Sequence, residues 1–499
     1  MSDVNSVITY LKKVCSIPRA SGDERRISNY IADFARERGL EVLQDEYYNL
    51  IIKKPATVEN AGGPLILQGH LDMVYVKEND SEHKYEEGIE VKEDEQFYFA
   101  DGTSLGSDNG VALAYCLALL DSKDIEHPDL EIVLTVKEEV GLVGANVIDI
   151  TSLKGKRFIN LDSEEEGVFY SSCAGGLRCR MIWNIEWEQL PYETIPVKVS
   201  LNGLAGGHSG INIGMGLGNA IVLMGRLLYA LKDIPVRINE LDMPGKANAI
   251  ANSGRICFYV KKNDLGKLRE KLTEIERTFQ EELQYTDSVS FLIEEGEAVK
   301  EASVYTERYQ KEICHSLMLL PYGVTGYSFA IQGLIETSMN LGSLTCEDGK
   351  MTLLMSMRSS VASQKYMLRD KIQIIADANC DACIFESDYP GWQYRRESPL
   401  REMAIALYEE MFGKKAKVAA IHAGLECGYW DNKKPGMDII SIGPDLFDVH
   451  STKEKVSKES IARSWDDLKV LIGKLAHALL PEEQQATQQP HIKLLESRR

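Results

Sequence analysis

No stretch of this chain is long and apolar enough to cross a bilayer. Its longest apolar run, residues 111–120, falls short of the roughly 20 residues that a spanning helix needs, and Asp108 and Asp121 flank it. Positive charge is also scarce: 56 Lys and Arg stand against 76 Asp and Glu, a formal net charge of −20. A field of that sign repels a phosphate backbone and argues against a nucleic-acid partner. The 10 cysteines are scattered, several inside apolar segments such as those around Cys15, Cys116 and Cys257. They read as buried free thiols rather than a disulfide framework. The start, Met1-Ser2-Asp3-Val4-Asn5, lacks the basic and then apolar pattern of a secretion signal. The expectation is therefore a cytoplasmic protein with no membrane partner. What is present is ordinary for a globular protein. Of 499 residues, 44% are hydrophobic and 26% charged, enough for a sizeable core. At roughly 100–200 residues per domain, that length suggests about two to four domains, or one large domain with an insertion.

The first third alternates helical and strand patterns. Val7, Tyr10, Leu11 and Val14 share one helical face, as do Ile27, Tyr30, Ile31 and Phe34. Short apolar runs at 50–52, 65–67, 130–136 and 158–161 suit buried strands, and 111–120 reads as a helix with Asp108 or Asn109 near its N-cap. Near Gly175-Gly176 the style changes to alternating strands and two long helical patterns, 219–231 and 265–283. A similar rhythm recurs at 351–385, without a repeat strong enough to prove duplication. After Tyr389-Pro390-Gly391 the α/β pattern resumes. The simplest architecture is a discontinuous α/β domain, 1–175 plus 390–499, interrupted by an α+β domain at 176–389. Residues 481–499 are polar and Gln-rich and read as a loose tail.

Five segments in the outer parts hold carboxylates and histidines: Gly69-His70-Leu71-Asp72, Gly106-Ser107-Asp108-Asn109-Gly110, Lys137-Glu138-Glu139, Asn160-Leu161-Asp162-Ser163 and Asp448-Val449-His450-Ser451. Four of them follow an apolar strand-like run or lead into a helix, where ligands bind in open α/β sheets. Mixed imidazole and carboxylate donors suit zinc, with manganese and cobalt as neighbours. His70 and Asp72 alternate on a strand end, so one can ligate while the other orients it. Glu138 and Glu139 diverge if the backbone is extended, which would leave one free as a general base. Taken singly, each segment has a plainer reading: an N-cap at Asp108-Asn109, a solvated turn at Glu138-Glu139, surface charge from Asp162 to Glu166. Their combination in this order is far more specific. Gly214-Met215-Gly216-Leu217-Gly218 lacks dinucleotide spacing, and the single Cys380-Asp381-Ala382-Cys383 is a poor zinc knuckle.

On longer stretches the sequence resembles the M20 metallopeptidases, in particular their aminoacyl-histidine (Xaa-His) dipeptidase branch. The matching segments are Gln68-Gly69-His70-Leu71-Asp72-Met73-Val74, Asn160-Leu161-Asp162-Ser163-Glu164-Glu165-Glu166-Gly167, Gly206-Gly207-His208-Ser209-Gly210, His422-Ala423-Gly424-Leu425-Glu426-Cys427-Gly428 and Ser441-Ile442-Gly443-Pro444. The resemblance implies a zinc-exopeptidase-like catalytic domain with an inserted lid and dimerisation domain, and hence a homodimer. It implies two zinc ions, for which manganese or cobalt could substitute. Asp108 would bridge them, His70 and Asp162 would complete one set and Glu139 and His450 the other. Asp72 would hold the His70 ring, and Glu138 would be the general base.

In the inserted domain the resemblance makes His208 the stabiliser of the oxyanion, often from a partner subunit. Asn248 and Arg358 would hold the substrate's C-terminal carboxylate, Arg358 through its guanidinium fork. Glu426 would meet a free substrate amino group by charge complementarity, while His422 reads as a packed histidine. The expected activity is hydrolysis of unblocked dipeptides, Xaa-His included. A tripeptide aminopeptidase or an N-acyl-amino-acid deacylase could use the same centre with a different lid, and a non-catalytic binding protein would be expected to have lost Glu138 or a ligand. Lys137 stands where the family often has Asp, Ser107 where Ala is common, and Ala251-Asn252 where Pro-Arg is frequent in the branch.

Overall fold

A computed structural model describes residues 4–478, so the 481–499 tail lies outside the described residues. The described residues divide into two compact units: 4–172, 395–420 and 425–478 form the first, and 173–394 with 421–424 the second. Assignment of 421–424 to the second unit has a local cause. The Ala174 N–H lies 3.1 Å from the Ile421 carbonyl and 3.0 Å from that of Ala423. His422 Nε2 lies 2.6 Å from Ser338 Oγ.

The first unit is built on an eight-stranded sheet. Across it the strands run in the order Glu41–Gln44, Leu50–Lys54, Leu130–Thr135, Leu65–His70, Arg157–Asn160, Asp438–Ser441, Val168–Cys173 and Lys417–Ile421. Leu65–His70, Leu130–Thr135, Arg157–Asn160 and Asp438–Ser441 are mutually parallel. Leu65–His70 and Leu130–Thr135 are buried along their whole length, as their continuous apolar runs require of strands covered on both faces. Because the four strands point the same way, the segments that follow them emerge along one edge of the sheet.

The helix Ser107–Asp121 lies against Leu65–His70. From Val111 to Leu120 every residue is buried, as expected of a helix apolar all round. Asp108 and Asn109, near its start, have non-helical backbone angles, and the peptide between them is cis. The close approach depends on Gly69. A β-carbon there would sit 2.4 Å from Asn109 Oδ1 and 2.9 Å from the Ala112 methyl. Val7, Leu11 and Val14 of the helix Val4–Cys15 belong to the same core, and Trp465 of the helix Lys458–His477 stacks on Tyr115 with centroids 5.4 Å apart.

The second unit holds two larger antiparallel sheets beside two two-stranded ones. Arg237–Asp242, Gly254–Val260, Ile195–Asn202 and Ser290–Glu295 make one. Gly323–Tyr327, Ile335–Glu347, Lys350–Ser359, Gly175–Asn184 and Ala382–Tyr389 make the other. The helices Ala220–Ala230, Leu265–Leu283, Glu307–Leu319 and Ala362–Asn379 contribute to its core. Asn219 caps the first, its side chain accepting from the Ile221 and Val222 amides. Alternation exposes one face of these strands, which is why the sequence style changes near residue 175. No helix among the described residues is long and apolar enough to cross a membrane.

Candidate metal centre

The parallel strands deliver three of the five segments to one place, and a helix start and a loop bring the other two. His70 ends its strand and is buried, and Asp72 follows two residues later, also buried. Glu138 and Glu139 come just after Leu130–Thr135, and Asp162 just after Arg157–Asn160. Asp108 arrives from the start of its helix, and His450 from the loop before Lys455–Ser457.

Asp108 stands in the middle. Its Oδ1 lies 3.0 Å from His70 Nε2 and its Oδ2 lies 3.2 Å from His450 Nε2. His70 Nε2 is also 3.3 Å from Asp162 Oδ1, and His450 Nε2 is 2.9 Å from Glu139 Oε1. Each imidazole nitrogen therefore faces two carboxylates, yet it carries only one proton or one lone pair. That convergence could hold a divalent cation. His70–Asp108–Asp162 and Asp108–Glu139–His450 each form a cluster whose donor atoms lie within 4.8 Å of one another. Two sets sharing one carboxylate fit a pair of ions, and nitrogen with oxygen donors fits zinc, manganese or cobalt. Glu138 joins a third such cluster with His70 and Glu139.

One detail differs from the expectation and one adds to it. Glu138 and Glu139 do not sit on extended backbone. Lys137 has φ 52°, the chain bends, and both carboxylates face the cluster. Asp72 holds the His70 ring and this bend as well. The ring's Nδ1 is 3.1 Å from the Asp72 carbonyl and 3.5 Å from its carboxylate. That carboxylate accepts from the amides of Glu138 at 3.0 Å and Glu139 at 3.3 Å, and from Ser21 Oγ at 2.8 Å. The β-strand period places Asp72 on the same side as His70, but only the fold brings the 138–139 amides to it.

The electrostatics are those of crowded carboxylates. Burial, reinforced by Asp162, Glu139 and Glu426 and opposed by His70, raises the Glu138 carboxyl well above the usual range. Burial and the neighbouring Asp108 and Glu139, against the pull of His70, push Asp162 up to about 6. Glu164, which the sequence offered only as surface charge, goes up to about 7 through burial and its proximity to Asp108 and Asp162. Hydrogen bonds to Asp108 and Glu139 lift His450 to about 11. A site where negative groups repel one another this strongly is one that bound cations relieve.

Glu426 takes a different place from the exposed anchor that an amine-binding residue suggests. It is 0% exposed, beside the helix Cys427–Lys433. Its Oε2 accepts from Gln68 Nε2 and, at 2.8 Å, from Thr135 Oγ1, while Oε1 has no hydrogen-bond partner. Burial pushes it up to about 8. Gln68 continues the network to Asn160, whose Nδ2 donates to Gln68 Oε1 at 2.6 Å. Nothing in the sequence marks Gln68, Thr135 and Asn160 as supports, because polar residues inside apolar strands carry no local signal. Asn109 does more than a helix cap would. Its Oδ1 accepts from the His70 amide at 3.2 Å, and its Nδ2 donates to the Leu161 carbonyl at 3.0 Å.

In the second unit His208, Asn248 and Arg358 come together. Gly207–His208 pairs with Ala249–Ile250, and the Ser209 amide donates to the Asn248 carbonyl at 2.9 Å. A β-carbon on Gly210 would lie 3.1 Å from His208 Cε1 and 3.3 Å from Arg358 Nε. His208 Nδ1 accepts from the amides of Gly210 and Ile211 at 3.3 and 3.2 Å, which leaves the ring proton on Nε2. Burial and the nearby Arg358 lower its pKa, so the ring is neutral at pH 7. Arg358 Nη1 donates to Tyr389 Oη at 3.2 Å, its Nε has no partner, and no carboxylate pairs with it among the described residues. His422 is packed as expected, and burial with Arg358 lowers it to about 4. Cys383 lies 3.4 Å, sulfur to sulfur, from Cys179 rather than pairing with Cys380.

The parallel-strand edge and the carboxylate shared by two candidate donor clusters are compatible with a metallopeptidase, and comparison with known proteins shows the family. Residues 66–472 match Peptidase family M20/M25/M40, and the chain belongs to this family. It is accordingly a peptide-bond hydrolase of a metal-dependent family. Among curated relatives, the cytosol non-specific dipeptidase of Escherichia coli is 34% identical over 470 residues, covering 93% of this chain and 96% of that protein. Among solved structures, an aminoacylhistidine dipeptidase from Vibrio alginolyticus matches with a TM-score of 0.88 at 34% identity, covering 94% and 96% of the two chains. An aminopeptidase from Bacillus cereus, at 15% identity and a TM-score of 0.54 over 95% and 99% of the chains, shares the fold.

Proposed function

We propose that this protein is a cytoplasmic metal-dependent dipeptidase that cleaves unblocked dipeptides, Xaa-His among them. The observation that carries the reading is Asp108, whose two oxygens face two separate donor sets with Glu138 alongside. The relatives named as dipeptidases support the substrate class. His70 and Asp162 would hold one ion and Glu139 and His450 the other, with Asp108 offering an oxygen to each set. When bound, a pair of divalent cations supplies positive charge that polarises a peptide carbonyl and makes water more acidic.

The chain's own residues do the rest. Glu138, left free of ligation, takes a proton from the attacking water and returns it to the leaving amine. Asp72 keeps Glu138 and Glu139 at their posts through their amides. His208, neutral and with Nε2–H available, donates to the oxyanion of the tetrahedral intermediate. Arg358, with its Nε unpartnered, and Asn248 receive the substrate's C-terminal carboxylate. Glu426, buried behind Gln68 and Thr135 and pushed up to about 8, is mostly uncharged at pH 7, so it supports the His70 strand through those two side chains rather than meeting the substrate's amino group. The second unit serves as lid and as the contact surface of a homodimer.

The test is a panel of a dipeptide, a tripeptide and an N-acetyl amino acid, run with zinc, manganese and cobalt in turn. Preference for the dipeptide is expected. Cleavage of only the tripeptide or only the acylated substrate would instead make the protein a tripeptide aminopeptidase or a deacylase. A Glu138→Ala protein that is folded, metal-loaded and fully active would overturn the mechanism. Light scattering distinguishes monomer from dimer.

A further inference from the structure

Glu454 has no place in the chemistry above, yet it is 2% exposed and has no ion-pair partner among the described residues. Burying a carboxylate without a countercharge is costly unless hydrogen bonds satisfy it. Here they do. Its Oε2 accepts from the amides of Leu105 at 2.9 Å and Gly106 at 3.0 Å. Its Oε1 accepts from the Ser107 amide at 2.7 Å and the Ser107 hydroxyl at 2.6 Å, with the Asp108 amide at 3.4 Å. One carboxylate thus gathers the N–H groups of the whole turn that carries Asp108.

A buried cation holds the same turn by its other polar group. Arg19, 0% exposed, donates from Nη2 to the Gly106 carbonyl. Its Nη1 donates to the carbonyls of Leu71 at 3.0 Å and Asp72 at 2.6 Å. Arg19 therefore ties the Asp108 turn to the segment that follows His70. Neither residue enters a cluster of metal donors.

We propose that Glu454 is a positioning residue for metal binding. Its carboxylate, with the Ser107 hydroxyl as partner and Arg19 as the opposing anchor, pre-sets residues 105–108 so that the Asp108 oxygens face His70 and His450 at once. This rests on the reading of Asp108 as the shared ligand. Glu454 acts through geometry, since its own negative charge so near Asp108 would only repel it. The Ser107 hydroxyl adds a charge-assisted bond to the clamp.

An amide in place of Glu454 keeps the shape but turns one acceptor into a donor facing donors. Partners that orient metal ligands typically change metal affinity by about 10–100-fold when lost. The experiment measures zinc affinity by chelator competition, and metal content by elemental analysis, for wild type, Glu454→Gln, Ser107→Ala and Asp108→Ala. The melting temperature of each metal-stripped protein is read in parallel. Expected are a rise in zinc Kd of about 10-fold or more for Glu454→Gln and a smaller, several-fold rise for Ser107→Ala. Excess zinc should restore kcat in both. Asp108→Ala tests the underlying reading separately: if it binds metal like wild type, the ligand assignment fails. If Asp108→Ala loses metal while Glu454→Gln and Ser107→Ala bind zinc as wild type does, the positioning role alone is refuted. A lower melting temperature without a change in affinity refutes it equally. Should Glu454→Gln not fold, an unchanged zinc affinity in Ser107→Ala is the refuting result.

Discussion

Replacing Gly69 by alanine drives a methyl group into the joint between the central strand and the helix that carries Asp108. The new β-carbon would meet Asn109 Oδ1 at 2.4 Å and the Ala112 β-carbon at 2.9 Å. The Ala112 side cannot yield without moving the helix, and the Asn109 side cannot yield without breaking its bonds to the His70 amide and the Leu161 carbonyl. Overpacking of this kind costs about 1–3 kcal/mol, and two buried hydrogen bonds add about 1 kcal/mol each. The lower chain entropy of alanine in the unfolded state returns about 0.4–1 kcal/mol. The net loss is therefore about 2–5 kcal/mol. Urea unfolding of the metal-stripped protein, followed by tryptophan fluorescence, reads it as a lower midpoint. Gly473→Ala is the control. It lies inside the helix Lys458–His477, where a β-carbon meets only the Glu126 carbonyl at 3.7 Å, so that change should gain about 0.5–1 kcal/mol. A Gly69→Ala midpoint equal to wild type, or an equal loss at Gly473, would show that the close approach is not what glycine serves here.

The other expectations concern charge and metal. Asp467 is buried beside Tyr115 and Tyr408, its Oδ1 lacks a hydrogen-bond partner, and burial with Glu166 pushes its carboxyl up to about 7. The folded state then keeps a proton that the unfolded chain releases near pH 4, so stability falls as pH rises from about 4 to about 7. Asp467→Asn should leave the melting temperature unchanged near pH 4 and stabilise by about 2–4 kcal/mol at pH 8, and equal effects at both values would contradict this. Stripping the protein with a chelator should abolish hydrolysis, and zinc at a thousand times its Kd should add about 4 kcal/mol of stability, which calorimetry with and without metal checks. Arg358→Met should raise KM for dipeptides by about 10–100-fold with kcat little changed, the loss of one charged hydrogen-bonded contact. A fall in kcat at constant KM would point instead to a role in the reaction step.

Much of the site could be read in order along the chain. Strand-ending His70, Asp162 and the 138–139 pair follow apolar runs whose burial on both faces is a local property, and parallel strands bring such ends together. The helix Leu265–Leu283 and the helix after Asn219 were likewise legible from periodicity and capping. The helix Glu307–Leu319 and the long pair Ile335–Glu347 and Lys350–Ser359 were less so, because their extent is decided by partners across the second unit's sheet.

The amino-acid sequence by itself determined the kind of chemistry, since residue types and their spacing after apolar runs are encoded within a few positions of one another. Tertiary structure alone decided which groups support that chemistry. Asp72 serves the 138–139 amides, Glu426 lies buried under Gln68 and Thr135, and Glu454 grips a turn some 350 positions earlier in the chain. Hydrogen bonds to backbone N–H groups can use any residue that the fold brings near, so they leave no pattern in the sequence to be read.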